Sequence, residues 1–423
     1  MYLRGLLSGV NETLVASPKY LDHMAKVFRS TSYLTLLNYI GYRVVVFLSP
    51  LLTRGGQCCS VLIPLGYADH VAILGSRLQG CVHLLEHLFP YGMVKLSRLT
   101  FGASVEQQDE LTKGLSTFVD QVRVAMVETV SRARWLDDAE AAAAVRRIET
   151  MDIDFPGGKE SADVLASYYP RTTARFTRSS LILDYVGSLN ATVTRYWKSR
   201  HGADWDARHR ISCLSTGFEY NAGRNVLYVT LGSVAVLSSA GGPTVSPVLV
   251  PLLAPLIAKG MFNAIDPHRP PVGRRWSSDA LNRFRSLEQC LLDVYRAPLG
   301  RYSWAARPHF FLDDMVRVQA ALVPSMRAYV RALSSSKRLQ YAIRLPGSNV
   351  TAEQLFFLSL AAAECEDVRP EAALARRKIE YVLGLPAPLR VNVPLAHSPD
   401  FARAYACPKR SPMAKADNRC AFW

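Results

Sequence analysis

Apolar residues recur at three- and four-residue steps along most of the chain up to Glu149. Between Pro18 and Leu52 they are Tyr20, Leu21, Met24, Val27 and Phe28, then Tyr33, Leu34, Leu37 and Ile40, a spacing that predicts two amphipathic helices. A third helix is expected from about Tyr67 to Phe89. Two more are expected over Gln107 to Arg134 and Asp137 to Glu149, the last opening on Asp137-Asp138 and dense in alanine. Phe155-Pro156-Gly157-Gly158 breaks the series, and a polar, arginine-rich stretch to about Ser180 reads as a connection. Asn225 to Val236 alternates β-branched and small residues, which predicts strand. Helical spacing returns over Trp276 to Tyr295, Leu312 to Leu333 and Ala352 to Ala363, and Leu389 to Trp423 reads as short segments and turns. The pattern predicts a mainly α protein with a smaller α+β part, in two lobes.

No formally charged residue occurs between Arg224 and Lys259, a span long enough to raise the question of a membrane helix. Pro243, Pro247, Pro251 and Pro255 fall every fourth residue, and each removes a backbone donor at ~3 kcal/mol in a helix interior. No membrane span is therefore expected; the segment reads as a buried strand, a proline-rich loop and a helix starting near Pro255. The apolar stretch within Met1 to Val15 is only five or six residues, which makes a poor signal peptide and is too short to span a bilayer.

The 423 residues include 50 Lys+Arg against 35 Asp+Glu, a net charge of +15 that would attract polyanions. No basic run of five or more and no zinc-knuckle spacing is present, so nucleic acid is not an expected partner; a basic polyanion-binding protein stays an alternative. The cysteines Cys58, Cys59, Cys81, Cys213, Cys290, Cys365, Cys407 and Cys420 form no C-x-x-C pair, which argues against a zinc ribbon and a thioredoxin-like site. Acceptor sequons at Asn11, Asn190 and Asn349 favour, with the cysteines, a glycosylated protein of an oxidising, secretory compartment.

Toward the C-terminus a run of motifs stands in order: Leu345-Pro346-Gly347, Glu353-Gln354-Leu355-Phe356-Phe357-Leu358, Cys365, Arg369-Pro370-Glu371, Arg390-Val391, Phe401 to Cys407, Met413, and Cys420-Ala421-Phe422-Trp423. Upstream stand Asn38-Tyr39 with Tyr42-Arg43, Trp135-Leu136-Asp137, Tyr220 with Arg224-Asn225, and Trp276 with Phe284 and Cys290. This set resembles the neprilysin-like zinc metalloendopeptidases, whose second half it follows. The resemblance implies a helical lobe over 1–180, a connection over 181–206 and a thermolysin-like (zincin) domain over 207–423. It also implies an extracellular or cell-surface location, peptides or extracellular proteins as partners, and a disulfide between Cys290 and Cys420. The family partners of Cys81, Cys365 and Cys407 lie in the portion this chain lacks, so their pairing, and that of Cys58, Cys59 and Cys213, stays open. The same absence implies an exposed apolar face on residues from Tyr20 to Phe118.

Such enzymes hold zinc with the two histidines of H-E-x-x-H, whose glutamate takes a proton from the zinc-bound water. A glutamate from an E-N-x-x-D helix completes the coordination and its aspartate orients a ligand. The chain contains no H-E-x-x-H. By ungapped counting from Arg224-Asn225, Ala258 and Phe262 stand at the histidine positions and Lys259 at the base. Counting back from Leu345-Pro346-Gly347 places Arg317 at the third ligand and Ala321 at the aspartate. Gly384 aligns with the family's transition-state histidine, Gly217-Phe218 with its Asn-Ala substrate clamp, and Arg390 with its substrate-carbonyl ligand, which is kept. His397-Ser398-Pro399 with Arg403 copies the histidine motif's spacing at the wrong distance from Cys407. The implied function is a catalytically inactive homologue, a pseudoenzyme with no zinc cofactor expected, binding peptides or proteins.

A rival zinc motif exists. His83-Leu84-Leu85-Glu86-His87 has the inverted H-x-x-E-H spacing, with both imidazoles on one helical face, and Glu160 as a candidate third ligand. It supports the alternative of an active metallopeptidase using His83, Glu86 and His87. The other reading is an ordinary amphipathic helix.

Overall fold

A computed structural model describes residues 18–48, 82, 85–86, 88–100, 105–156, 181–198, 214, 216–239, 249–269, 276–302, 308–335, 347–366, 385–409, 411–414 and 420–423. The chain divides into two compact units, Met1–Pro90 with Ser161–Asp206, and Tyr91–Glu160 with Ala207–Trp423. These cut across the expected 1–180, 181–206 and 207–423 boundaries. The cause is packing: the long helix expected in the first lobe lies against helices from the second half of the chain.

The first unit contains α1 (Pro18–Ser30), α2 (Tyr33–Leu48) and α6 (Leu181–Lys198). Ser32 starts α2 by accepting the Thr35 N–H at 3.1 Å, an N-cap. Tyr20, Leu21, Val27, Phe28, Tyr33, Leu34, Leu37 and Ile40 are all exposed on α1 and α2. The expected third helix falls mostly outside the described residues, though Glu86 and Leu88 within it are buried.

The remaining elements are α3 (Pro90–Thr100), α4 (Val105–Val130), α5 (Asp138–Glu149), β1 (Asp152–Asp154), β2 (Phe218–Asn221), β3 (Val226–Val229), α7 (Leu231–Ser239), α8 (Val250–Phe262), α9 (Ser278–Leu299), a 3₁₀ turn (Pro308–Phe311), α10 (Leu312–Ser335), α11 (Ala352–Ala363), α12 (Ala387–Ala396) and α13 (Pro399–Ala404). The mainly α expectation holds. Among the described residues the sheet runs β1-β3-β2, with β1 parallel and β2 antiparallel to β3, so the fully buried β3 is central and β2 is an edge. Strand ends earlier than the alternation predicts: Thr230 caps α7 through its hydroxyl on the Ser233 N–H (3.3 Å), and the rest of the segment is helix.

Helix α8 is the axis of the second unit, packed against α4, α10, α11 and β2. It begins at Val250, five positions before the expected start at Pro255. Pro251 sits in the first turn, where its missing N–H has no helical acceptor to lose. Pro255 is inside the helix and buried, and packing on every side holds it there. No helix among the described residues is long and apolar enough to cross a membrane.

Polar ties fix the elements around α8. Asp137 and Glu140 form a capping box on α5, and Glu140 also accepts the Ser277 N–H at the start of α9 (2.8 Å). Asn225, at φ 55°, ends the β2–β3 turn; its amide donates to Arg147 O (3.0 Å) and accepts from the Tyr220 hydroxyl (2.8 Å). Cys290 and Cys420 are disulfide-bonded, as the resemblance implies, across a sequence separation of 130. Closing a loop of that size stabilises by ~4 to 5 kcal/mol in the chain-entropy model.

Candidate functional site

A cleft of about 280 Å³ opens between the edge strand β2, the last turn of α8 and the first turns of α10 and α12. Gly217, Phe218 and Glu219 form one wall, Lys259, Gly260 and Asn263 the floor, and Asp314, Arg317 and Arg390 the other side. The wall comes close because Gly260 has no side chain: a Cβ there would lie 2.8 Å from Leu227 Cδ1 and 3.2 Å from Phe218 Cβ.

Three cations therefore line one cleft, and their partners differ. Arg390 donates from Nε to Glu364 Oε2 and from Nη1 to Leu385 O, both at 2.6 Å. Arg317 donates from Nη2 to Asp313 Oδ2 (2.7 Å) and from Nε to Asp313 O (3.1 Å), with Asp314 Oδ1 3.9 Å away. Asp314 accepts the Leu385 N–H at 3.0 Å, which holds the loop before α12 against α10. Lys259 Nζ lies 3.8 Å from Glu364 Oε1, an ion pair too long for a hydrogen bond. Burial pushes the Lys259 ammonium below the ordinary lysine range; Glu364 and Asp314 pull it back up, while Arg390 and Arg317 push it further down.

The structure thus brings together Lys259, Arg317, Arg390 and Gly217-Phe218. Ala258, Phe262 and Ala321 are buried in the core behind them, Phe262 meeting the rings of Phe422 and Trp423 edge-on at 6.2 and 6.3 Å. Gly384, His83 and His87 lie outside the described residues, as do Glu160, Asn11 and Cys58, Cys59, Cys81 and Cys213. Asn190 and Asn349 are exposed, and Cys365 and Cys407 carry no disulfide among the described residues. His397-Ser398-Pro399 forms the junction of α12 and α13, with Ser398 as a cap, and none of it lines the cleft.

Residues 266–421 match the model of peptidase family M13. Membrane metallo-endopeptidase-like 1 of Mus musculus is 30% identical over 154 residues, and neprilysin-2 of Caenorhabditis elegans 30% identical over 149. Each match takes in 35% of this chain and 19% of the relative, so the chain matches about a fifth of the length of these curated proteins. Over residues 266–421 the chain is therefore similar to the neprilysin-like members of family M13. The zinc metalloprotease Zmp1 of Mycobacterium tuberculosis superposes with a TM-score of 0.67 at 15% identity, covering 97% of this chain and 60% of that one. PepO of Lactobacillus rhamnosus gives 0.60 at 14% identity over 89% and 56%. These likenesses establish the zincin-like fold.

M13 enzymes use zinc, and the residues here do not fit it. The positions that ungapped counting assigns to ligands and base offer a methyl, an ammonium, a benzyl ring and a guanidinium, none of them a metal donor at neutral pH. Among the described residues no group of three or more His, Cys, Asp or Glu could hold a metal ion. Glu364, Asp313, Asp314 and Asn263 were not legible as site residues. Asp313-Asp314 look like the ordinary acidic start of a helix. Glu364 offered one signal: a carboxylate at a helix C-terminus, where the helix dipole disfavours it unless cations stand nearby.

Proposed function

We propose that this chain is a non-catalytic M13 homologue that binds peptides or extracellular proteins through the cleft of its zincin-like domain. The observation that carries the proposal is the convergence of Lys259, Arg317 and Arg390 on one cleft walled by an edge strand. Three fixed cations repel a divalent cation and activate no water. What remains of a peptidase is a strand that lies at the sheet edge among the described residues, with cationic donors across the cleft from it, an arrangement suited to holding an extended peptide. The extracellular setting rests on likeness to neprilysins and on the exposed sequons at Asn190 and Asn349.

The test uses the purified full chain, a set of internally quenched peptides, and added zinc with and without a chelator. The proposal predicts hydrolysis equal to the buffer control in every arm. Chelator-sensitive cleavage that survives repurification would refute it.

A further inference from the structure

The cleft donors are unequally satisfied, and that inequality selects a ligand. Arg390 is engaged by Glu364 and by a backbone carbonyl. Arg317 is engaged on one side: Asp313 takes Nε and Nη2, and among the described residues Nη1 carries no hydrogen bond. Lys259 has three N–H donors and no hydrogen bond among the described residues, although its side chain is only 23% exposed. Leaving such a cation without a hydrogen bond in a part-buried site is costly, and an oxyanion arriving there would recover much of that cost. In the same cleft the Asn263 side-chain oxygen is buried with no hydrogen-bond partner among the described residues. It needs a donor, and the cations need an acceptor.

We propose that the cleft is built for the C-terminal end of a peptide, whose terminal carboxylate is bound by Lys259 Nζ and Arg317 Nη1 while a backbone N–H of its last residues donates to Asn263. The inference rests on the peptide-binding function proposed above and names its ligand. A bare inorganic anion satisfies the cations and leaves Asn263 unpaired; an internal acidic side chain must thread both neighbouring backbones through the site. A volume near 280 Å³ suits one or two residues, not a folded partner. Glu219 and Asp314 also line the cleft and set a sign requirement, since a second carboxylate on the ligand would meet them.

The experiment measures, on the full chain, binding and the rise in Tm caused by N-acetyl-Phe-Leu with a free carboxylate, the same dipeptide amidated, and inorganic phosphate. Expected is binding of the free acid at least tenfold tighter than the amide, with phosphate weaker than the acid. In Lys259→Met and Arg317→Met, each checked by circular dichroism, the acid should fall to the level of the amide. Equal binding of acid and amide would overturn the carboxylate assignment while leaving peptide binding intact. Phosphate as strong as the acid would make this a general anion site and overturn the peptide terminus. A preference for the acid that survives in both variants would put the carboxylate elsewhere. No binding of either dipeptide would remove both this inference and the function on which it rests.

Discussion

At Lys259, a single formal charge stands in a helix that is otherwise apolar and almost wholly buried. Its nearest acid, Glu364, is already held by Arg390, so removing the lysine leaves no buried carboxylate unpaired. Lys259→Met should therefore raise stability at neutral pH by about 1 kcal/mol, in line with isosteric replacement of buried charges by apolar groups. The sign of the pH dependence follows from the lowered lysine pKa. Below the folded-state pKa both states carry the proton and the full penalty stands. Between that value and the ordinary 10.5, the unfolded chain binds a proton that the folded chain does not, so wild-type stability gains as pH rises. The Tm advantage of Lys259→Met should shrink as pH approaches 10.5, as read by thermal scans of both proteins; a constant gap would mean that the ammonium pays no burial penalty.

Element by element, apolar spacing located most helices of the second unit to within a few residues, because each needs only one buried face: Ala352–Ala363 matches at both ends, and its Thr351–Gln354 capping box is local chemistry. Around α8 it was less informative. Its prolines argue against helix in isolation, and only contact with α4, α10, α11 and β2 overrides them. The alternation over Leu231 to Val236 predicts strand where the structure has helix, because small and β-branched residues alternate in strands and buried helices alike, and the Thr230 cap decides the matter. The approach of α8 to β2 was equally illegible, since it depends on what lies opposite Gly260. Gly260→Ala tests it. Alanine is ~1 kcal/mol better than glycine in an open helix, yet here its methyl would meet Leu227 at 2.8 Å and the Phe218 carbonyl at 3.3 Å. A net loss of about 1 to 3 kcal/mol is expected in urea unfolding, and a gain in stability would show that the strand wall yields easily.

For the whole molecule, the motif series reached the family, the fold and the Cys290–Cys420 bridge, because those depend on residues whose spacing is visible along the chain. The ion-pair network did not, because Glu364 meets Lys259 and Arg390 only after folding. The expected apolar face is present on α1 and α2 but not on α4, where Leu111, Leu115 and Phe118 are buried in the core of the second unit. The alternative zinc motif rests on His83 and His87, outside the described residues, so a metal measurement on the full chain weighs both sites at once. That measurement is zinc content by inductively coupled plasma mass spectrometry, after equilibration of the disulfide-bonded protein with zinc and removal of loosely held metal. Lys259 and Arg317 in the cleft predict far less than one zinc per chain, unchanged in His83→Ala. One zinc per chain that disappears in His83→Ala would move the chemistry to the inverted motif, and one that persists in that variant would contradict the account of the cleft.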